Sequence, residues 1–157
     1  MGSPLDLSEL SKKISSVADK YGIVYAIAFG SAVEGRYIKG ESDVDIAVKL
    51  KKIDKSGVYS FLKRFASDLN LDNVDVVIVN FAPFSLVFDI LSRGRVIFCK
   101  DEDELFEDRL KAIKMYDDWL NFSRYFIERK VEKVTRRGKH SEEVSCASKE
   151  KDGVAIK

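Results

Sequence analysis

The chain has 157 residues, enough for one ordinary domain with a buried core and too few for two. Its 27 basic residues nearly balance 26 acidic ones, so the net charge of +1 gives no overall electrostatic reason to expect a nucleic acid or a membrane surface as partner. No apolar stretch approaches the roughly 20 residues that a membrane-spanning helix needs, and the first residues lack a charged-then-apolar leader, so we expect a cytoplasmic protein.

Apolar patterning in the first third of the chain predicts a helix, two strands and a loop between the strands. Apolar residues recur at helical spacing over 5–21, and a β-branched run over 23–29 predicts a buried strand that ends at Gly30. Residues 31–42 are polar and contain glycine, which is typical of a loop. Residues 44–50 alternate between apolar and polar positions, which predicts a strand with one buried face.

The rest of the chain is predicted to alternate between helices and strands. The predicted elements are a helix over 56–69, a strand over 74–79, a helix over 83–91, a strand over 96–99 and a long helix from 101 to about 134. Residues 135–157 are polar and lack periodicity, so we predict a disordered tail there. The expected fold class is α/β (α+β), a small mixed sheet of about four strands with helices mainly on one face and the other face left open for chemistry.

Two aspartates, Asp43 and Asp45, stand two positions apart at the start of the second predicted strand, so both side chains leave the sheet on the same side. Like charges held this close raise each other's proton affinity unless a cation sits between them. Hard carboxylate oxygens suit Mg²⁺ or Mn²⁺, which bind substrate phosphates alongside one or two carboxylates. Asp75 opens the next predicted strand, and three acids converge if the two strands are neighbours. Such a trio can hold divalent metal and orient an attacking hydroxyl.

The Gly30-Ser31 pair directly follows the first predicted strand. A backbone without a Cβ lets a ligand approach closely, and a serine hydroxyl with neighbouring N–H groups can hold a phosphate. Arg36 and Lys39 lie in the same loop and are candidates for neutralising further phosphate charge, although loop cations are commonly only solvated. The sequence therefore predicts a phosphate-binding turn shortly before the pair of acids.

The Gly30-Ser31 pair, its spacer and Asp43-Val44-Asp45 resemble the signature of the polymerase-beta-type nucleotidyltransferase superfamily. Within that superfamily the likeness is to the minimal nucleotidyltransferases, small prokaryotic proteins often encoded beside a HEPN-domain toxin. The likeness extends to Asp75, which stands where that family keeps its third metal-binding acid, and to residues 90–98, which resemble the family's helix-glycine-strand ending. The spacer is one residue longer than in the family's best-known form.

The resemblance implies a function for each of these groups. Residues 1–134 would form the nucleotidyltransferase domain, and the protein would transfer AMP from ATP, with Mg²⁺ or Mn²⁺, to a tyrosine of a HEPN-type toxin. The residues implied are Asp43, Asp45 and Asp75 as catalytic and metal-binding acids, and Gly30, Ser31, Arg36 and Lys39 as nucleotide-binding residues. Neither a membrane nor a nucleic acid is required for this activity.

Two other functions remain open on the sequence. The protein could neutralise a toxin by covering it without catalysis, or it could transfer the nucleotide to a small molecule or an RNA. Aromatic residues are numerous in the last predicted helix, and part of that helix is a candidate surface for a partner subunit. These residues are Tyr116, Trp119, Phe122, Tyr125 and Phe126.

Overall fold

The computed structural model describes residues 6–36, 38, 41–71 and 73–152, with side chains described as far as residue 138. The helices and strands are α1 (Leu7–Tyr21), β1 (Ile23–Phe29), β2 (Val44–Leu50), α2 (Val58–Leu69), β3 (Val74–Ile78), α3 (Phe84–Arg93), β4 (Arg95–Cys99) and α4 (Glu102–Asp152). Their order is the predicted one. None of the helices in these ranges combines the length and the apolar character needed to cross a bilayer.

The four strands form one mixed sheet in the order β3-β2-β1-β4. Strand β1 is antiparallel to both of its neighbours, β2 and β4. Strands β2 and β3 are parallel, because the connection through α2 returns the chain to the same end of the sheet at which β2 begins. The predicted fold class, with its small mixed sheet and long C-terminal helix, is confirmed.

Helices cover both faces of the sheet. On the first face, α1 and α2 contribute buried residues such as Ile14 and Phe65. On the second face, α3 and the first turns of α4 contribute Ile90 and Leu105, which cluster with Ile27 of β1. The sequence predicted helices mainly on one face of the sheet, whereas α3 and the first turns of α4 also cover the second face. The continuous burial of β1 over residues 23–28 has this cause, because a strand reads as apolar throughout when both faces are packed.

Helix α4 is longer than the sequence predicted. The structure continues it to Asp152, whereas the prediction ended it near Val134 and began a disordered tail at residue 135. Residues 135–152 lack an apolar stripe, but they contain no proline to terminate a helix and many lysines and glutamates, which favour helix. Residues 153–157 lie outside the described residues. Internal contacts divide the chain between Tyr116 and Asp117, so the assignment of 1–134 as one domain stays a prediction.

A polar contact on the second face joins the sheet to the start of α4. The Tyr25 hydroxyl donates to Asp108 Oδ2 at 2.8 Å, and Lys49 Nζ lies 3.0 Å from the same oxygen. Burial raises the pKa of the Tyr25 phenol well above its ordinary value, so the hydroxyl remains a donor to the carboxylate. Residues from β1, β2 and α4 therefore meet at one charge-assisted contact.

We expect Tyr25→Phe to lower the free energy of unfolding by about 1.5 kcal/mol. The variant removes one hydrogen bond to the Asp108 carboxylate, which still has Lys49 as an ion-pair partner. Urea denaturation measures this loss. Tyr59→Phe is the matched control, because the Tyr59 side chain is exposed and loss of its hydroxyl should leave stability unchanged. Equal stabilities for the two variants would contradict a stabilising role for the Tyr25 contact.

Candidate active site

Strand β2 places Asp43 and Asp45 on the same side of the sheet. Val44 and Ile46, which alternate with them, are buried in the core of the first face. Asp43 immediately precedes the strand and is exposed, and Asp45 is partly buried. The two carboxylates therefore leave the backbone on the side opposite to that core, as the alternation predicts.

Strand β3 brings the third acid next to this pair. Asp75 is the register partner of Asp45 in the parallel β2–β3 pair, which places the two backbones one strand spacing apart. At the start of the pair, Val44 N–H donates to the Asn73 carbonyl oxygen at 2.8 Å. Asn73 has a positive φ of 58°, a conformation that asparagine tolerates better than most residues. Sequence reasoning missed this turn, although Asn70, Asp72 and Asn73, residues typical of turns, precede the strand.

The three carboxylates lie close enough for two of them to affect the pKa of the third, Asp45. Burial raises the pKa of Asp45 above its ordinary value, and the charges of Asp75 and Asp43 raise it further. Ionisation of Asp45 is thus less favourable in the isolated protein than ionisation of a solvent-exposed aspartate. A cation placed among these oxygens would reverse the effect, because an opposite charge nearby favours the ionised carboxylate.

The Gly30-Ser31 turn lies directly against Asp45. Phe29, the last residue of β1, pairs with Asp45 across the sheet, and Gly30 follows with a left-handed φ of 70°. A Cβ at Gly30 would lie 2.3 Å from Asp45 Oδ2, so only glycine leaves room for the carboxylate. The backbone of the predicted phosphate-binding turn therefore packs closely against the Asp45 carboxylate.

The chain after Gly30 forms a short 3₁₀ turn, Gly30–Ala32. The N–H groups of Val33 and Glu34 both donate to the Gly30 carbonyl oxygen at 3.1 Å, which closes the turn. The first N–H groups of such a turn have no acceptor within it, so those of Ser31 and Ala32 are suited to an anion. Ser31 is partly exposed and carries its hydroxyl into the same segment.

The structure does not place the two predicted loop cations, Arg36 and Lys39, beside the acids. The Arg36 side chain is exposed and forms an ion pair with Glu34, a partner that sequence reasoning missed although it stands two residues away. This ion pair engages one nitrogen of the Arg36 guanidinium, and the side chain is otherwise exposed. Lys39 lies outside the described residues. Of the seven predicted site residues, the structure brings together the three acids, Gly30 and Ser31.

The carboxylates fit a hard divalent cation. Within the described ranges, no group of three or more His, Cys, Asp or Glu side chains is arranged as a ready-made metal site. Mg²⁺ does not require one, because it binds through one or two carboxylates and completes its shell with water and substrate phosphate oxygens. Asp43 and Asp45 supply that number of ligands, and a cation beside Asp45 would oppose both the burial and the neighbouring negative charges that raise its pKa.

Comparison with known proteins agrees with this geometry. The family model described as "Polymerase beta, Nucleotidyltransferase" matches residues 12–103. A search of curated proteins found no match.

Several solved structures with the same fold are chains from toxin–antitoxin pairs. A chain of a toxin–antitoxin crystal structure with AMP-PNP is 23% identical, with a TM-score of 0.62 over 75% of this chain and 95% of that one. A chain from the complex of tri-AMPylated Shewanella oneidensis HEPN toxin with MNT antitoxin is 21% identical, with a TM-score of 0.56 over 75% of this chain and 92% of that one. A chain of the MntA-HepT pair is 21% identical, with a TM-score of 0.56 over 75% and 93%.

The family match covers more than half of the chain and contains the whole four-stranded sheet. It also contains the Gly30-Ser31 turn and the three aspartates that converge at the start of β2 and β3. The chain therefore belongs to the polymerase beta nucleotidyltransferase family and is a nucleotidyltransferase.

Proposed function

We propose that this protein is a minimal nucleotidyltransferase of a toxin–antitoxin pair, which transfers AMP from ATP to a tyrosine hydroxyl of a HEPN-type toxin. The observation that carries the proposal is the convergence of Asp43, Asp45 and Asp75 beside the Gly30-Ser31 turn. Two structures that share the fold support the choice of substrate and partner, since one contains AMP-PNP and another an AMPylated HEPN toxin.

Asp43 and Asp45 are the residues that would hold Mg²⁺. When bound, the ion neutralises triphosphate charge that would otherwise oppose the acids and the incoming hydroxyl. Ser31 and the N–H groups of its turn would bind phosphate oxygens of the ATP beside the start of β2. The work of the protein here is mainly positioning and charge neutralisation, as expected for transfer at phosphorus.

Asp75 orients the acceptor hydroxyl and accepts its proton. The hydroxyl oxygen attacks the α-phosphorus of ATP, and a new oxygen–phosphorus bond forms. The bond from the α-phosphorus to the oxygen that bridges to the β-phosphorus breaks, and pyrophosphate leaves with that oxygen. Asp75 suits this role because it is exposed and lies level with Asp45 on the neighbouring strand.

The second unit of the chain offers a surface for the toxin. Large apolar side chains with 37% to 71% exposure recur along α4 after Asp117. They are Trp119, Leu120, Phe122, Tyr125, Phe126, Ile127, Val131 and Val134. Exposed apolar surface on this scale, with aromatic residues prominent, is typical of a protein–protein interface. We refer to these eight residues as the α4 apolar surface and assign it to the toxin.

The test is incubation of the protein with the toxin encoded beside it, α-labelled ATP and Mg²⁺. We expect label on a toxin tyrosine, located by mass spectrometry, and loss of that label with Asp43→Asn. Asp103→Asn is the matched control, because Asp103 is an exposed acid on α4 outside the site and its replacement should leave labelling unchanged. Label on an RNA or a small molecule in place of the toxin would contradict the proposed acceptor.

The same assay separates catalysis from masking. If toxin activity stays neutralised by the double variant Asp43→Asn, Asp45→Asn while the toxin carries no label, the protein acts by covering its partner. Neutralisation that disappears with the label supports catalysis. The α4 apolar surface is compatible with both outcomes, so the variants of Asp43 and Asp45 are needed to distinguish them.

Binding through α4 gives a separate prediction. Phe122 and Phe126 stack with ring centroids 6.0 Å apart and are exposed. We expect Phe122→Ser combined with Phe126→Ser to weaken toxin binding by roughly a hundredfold, because buried aromatic residues dominate interface energies. Isothermal titration calorimetry measures the change. Glu128→Ser combined with Lys133→Ser is the control on the same helix, and equal affinities for both double variants would place the toxin elsewhere.

A further inference from the structure

Basic residues gather in a groove on the first face of the sheet, between α1 and α2. Two adjoining clefts, with volumes of about 700 Å³ and 470 Å³, share Lys20, Ser60 and Arg64 in their walls. The larger cleft adds Lys52 and the smaller adds Lys63. We refer to the two clefts together as the basic groove.

The acids of the basic groove are already engaged. Asp54 accepts hydrogen bonds from Gly57 N–H at 3.0 Å and from the Ser56 hydroxyl at 2.9 Å. Asp68 accepts from Lys20 Nζ at 2.8 Å and from the Tyr21 hydroxyl. These contacts hold the pKa of both carboxyls below the ordinary value, so both are ionised at neutral pH and turned to their own partners.

Three cations of the groove are left for a ligand. Lys52, Lys63 and Arg64 have exposed side chains, and no ion pair or hydrogen bond joins them to any residue in the part of the chain that the structure describes. The whole chain carries a net charge of only +1, whereas residues 51–64 contain five basic residues and one acidic residue. Positive potential is therefore concentrated at this groove, where an anionic ligand would be attracted.

The spacing along α2 describes the shape of that ligand. Tyr59, Lys63 and Ser67 follow at intervals of four residues, and Ser60 and Arg64 form a parallel row, so both rows lie on one side of the helix. From residue 59 to residue 67 the rows extend for about 12 Å, at 1.5 Å per residue. The Tyr59 side chain is 76% exposed and stands in the same groove.

A row of cations beside an exposed aromatic ring is the physical arrangement by which proteins hold single-stranded nucleic acid: the cations follow the phosphates and the ring stacks on a base. We propose that the basic groove binds single-stranded nucleic acid, with Lys52, Lys63 and Arg64 on the phosphates and Tyr59 on a base. Serine hydroxyls at 60 and 67 add donors for phosphate oxygens.

The basic groove is separate from the acids. It lies beside Leu50, the last residue of β2, whereas Asp45 is near the first. Five residues of strand put about 17 Å between the two positions. The groove also belongs to the face of the sheet covered by α1 and α2, and the acids point to the opposite face. Binding at the groove is thus independent of the proposed transfer of AMP.

Fluorescence anisotropy with labelled oligouridylate and oligothymidylate, over a series of salt concentrations, tests the proposal with the full chain. We expect the triple variant Lys52→Ala, Lys63→Ala, Arg64→Ala to bind at least tenfold more weakly and to flatten the slope of log affinity against log salt by about 2, since single strands lose roughly 0.7 per phosphate contact. Tyr59→Ala should weaken binding by about tenfold without changing the slope, because it removes stacking and no charge.

The control removes the same charge elsewhere. Lys12→Ala, Arg95→Ala, Lys111→Ala takes three exposed cations from α1, β4 and α4, and should leave both affinity and slope near those of the parent protein. Equal behaviour of the two triple variants would overturn the groove as the site. Preferential binding of the groove to duplex, or to phosphatidylserine vesicles in place of oligonucleotides, would overturn the assignment to single strands. Label transfer to the toxin should be the same for both triple variants.

Discussion

Asp45→Asn is expected to lower the rate of nucleotidyl transfer by roughly a thousandfold or more, because the loss of one of two metal-binding carboxylates removes several kcal/mol of charge stabilisation from the transition state. Asparagine keeps the shape of the side chain and its fit beneath Gly30. The measurement is single-turnover transfer of label from α-labelled ATP at saturating Mg²⁺. Residual activity within tenfold of the parent protein would contradict the assigned role of Asp45.

The same variant should be at least as stable as the parent in the absence of metal. Burial, and then the charges of Asp75 and Asp43, raise the pKa of Asp45 in the folded protein, so stability falls as pH rises from its unfolded pKa through its folded pKa. Removing the charge removes the cost of burying it and the repulsion from Asp75 and Asp43. Thermal denaturation in EDTA measures the change. A lower melting temperature for Asp45→Asn would contradict the electrostatic penalty assigned to the Asp45 carboxylate.

Gly30→Ala is expected to lower activity by roughly a hundredfold through displacement of the Asp45 carboxylate, since misplacing a reacting or binding group by about 1 Å has effects of that size. The new Cβ would lie 2.3 Å from Asp45 Oδ2, so the carboxylate has to move. The left-handed φ of 70° adds about 1–2 kcal/mol of backbone strain for any residue with a Cβ. Transfer kinetics and urea denaturation measure the two effects.

Gly35→Ala separates strain from collision. Gly35 has a φ of 74°, close to that of Gly30, and belongs to the same loop, but a Cβ there meets nothing within 4 Å. The variant Gly35→Ala should lose about as much stability as Gly30→Ala and keep most of the parent activity. If Gly30→Ala and Gly35→Ala lose activity equally, the close approach of Gly30 to Asp45 has no catalytic importance.

Much of the fold could be predicted from local patterns. The alternation of 44–50 placed Asp43 and Asp45 on one side, and the uninterrupted apolar run of β1 indicated a central strand. Parallel pairing of β2 with β3, on which the position of Asp75 depends, could be stated only as a condition, because strand neighbours are set by contacts distant in sequence. The family resemblance favoured that pairing, and the structure shows it.

Other features could not be predicted because they depend on local competition between side chains. Arg36 was a candidate for phosphate, but Glu34, two residues away, is its partner in the free protein. The end of α4 was placed too early because the prediction followed apolar periodicity, and residues 135–152 have no such periodicity although they are helical. The basic groove was hidden by the balanced total charge, since Lys20 and Arg64 are 44 positions apart in sequence and meet only on folding.

Because β2 and β3 pair in parallel, the connection between them can change in length without moving the acids at the start of the two strands. Both acids of the register pair lie where their strands begin, and the connection between the strands leaves from the far end of β2 at Leu50. Insertions after residue 50 therefore lengthen the crossover about 17 Å from Asp45, with the register at its start intact. Descendants of such a chain can acquire new accessory segments there for new acceptors without rebuilding the chemistry.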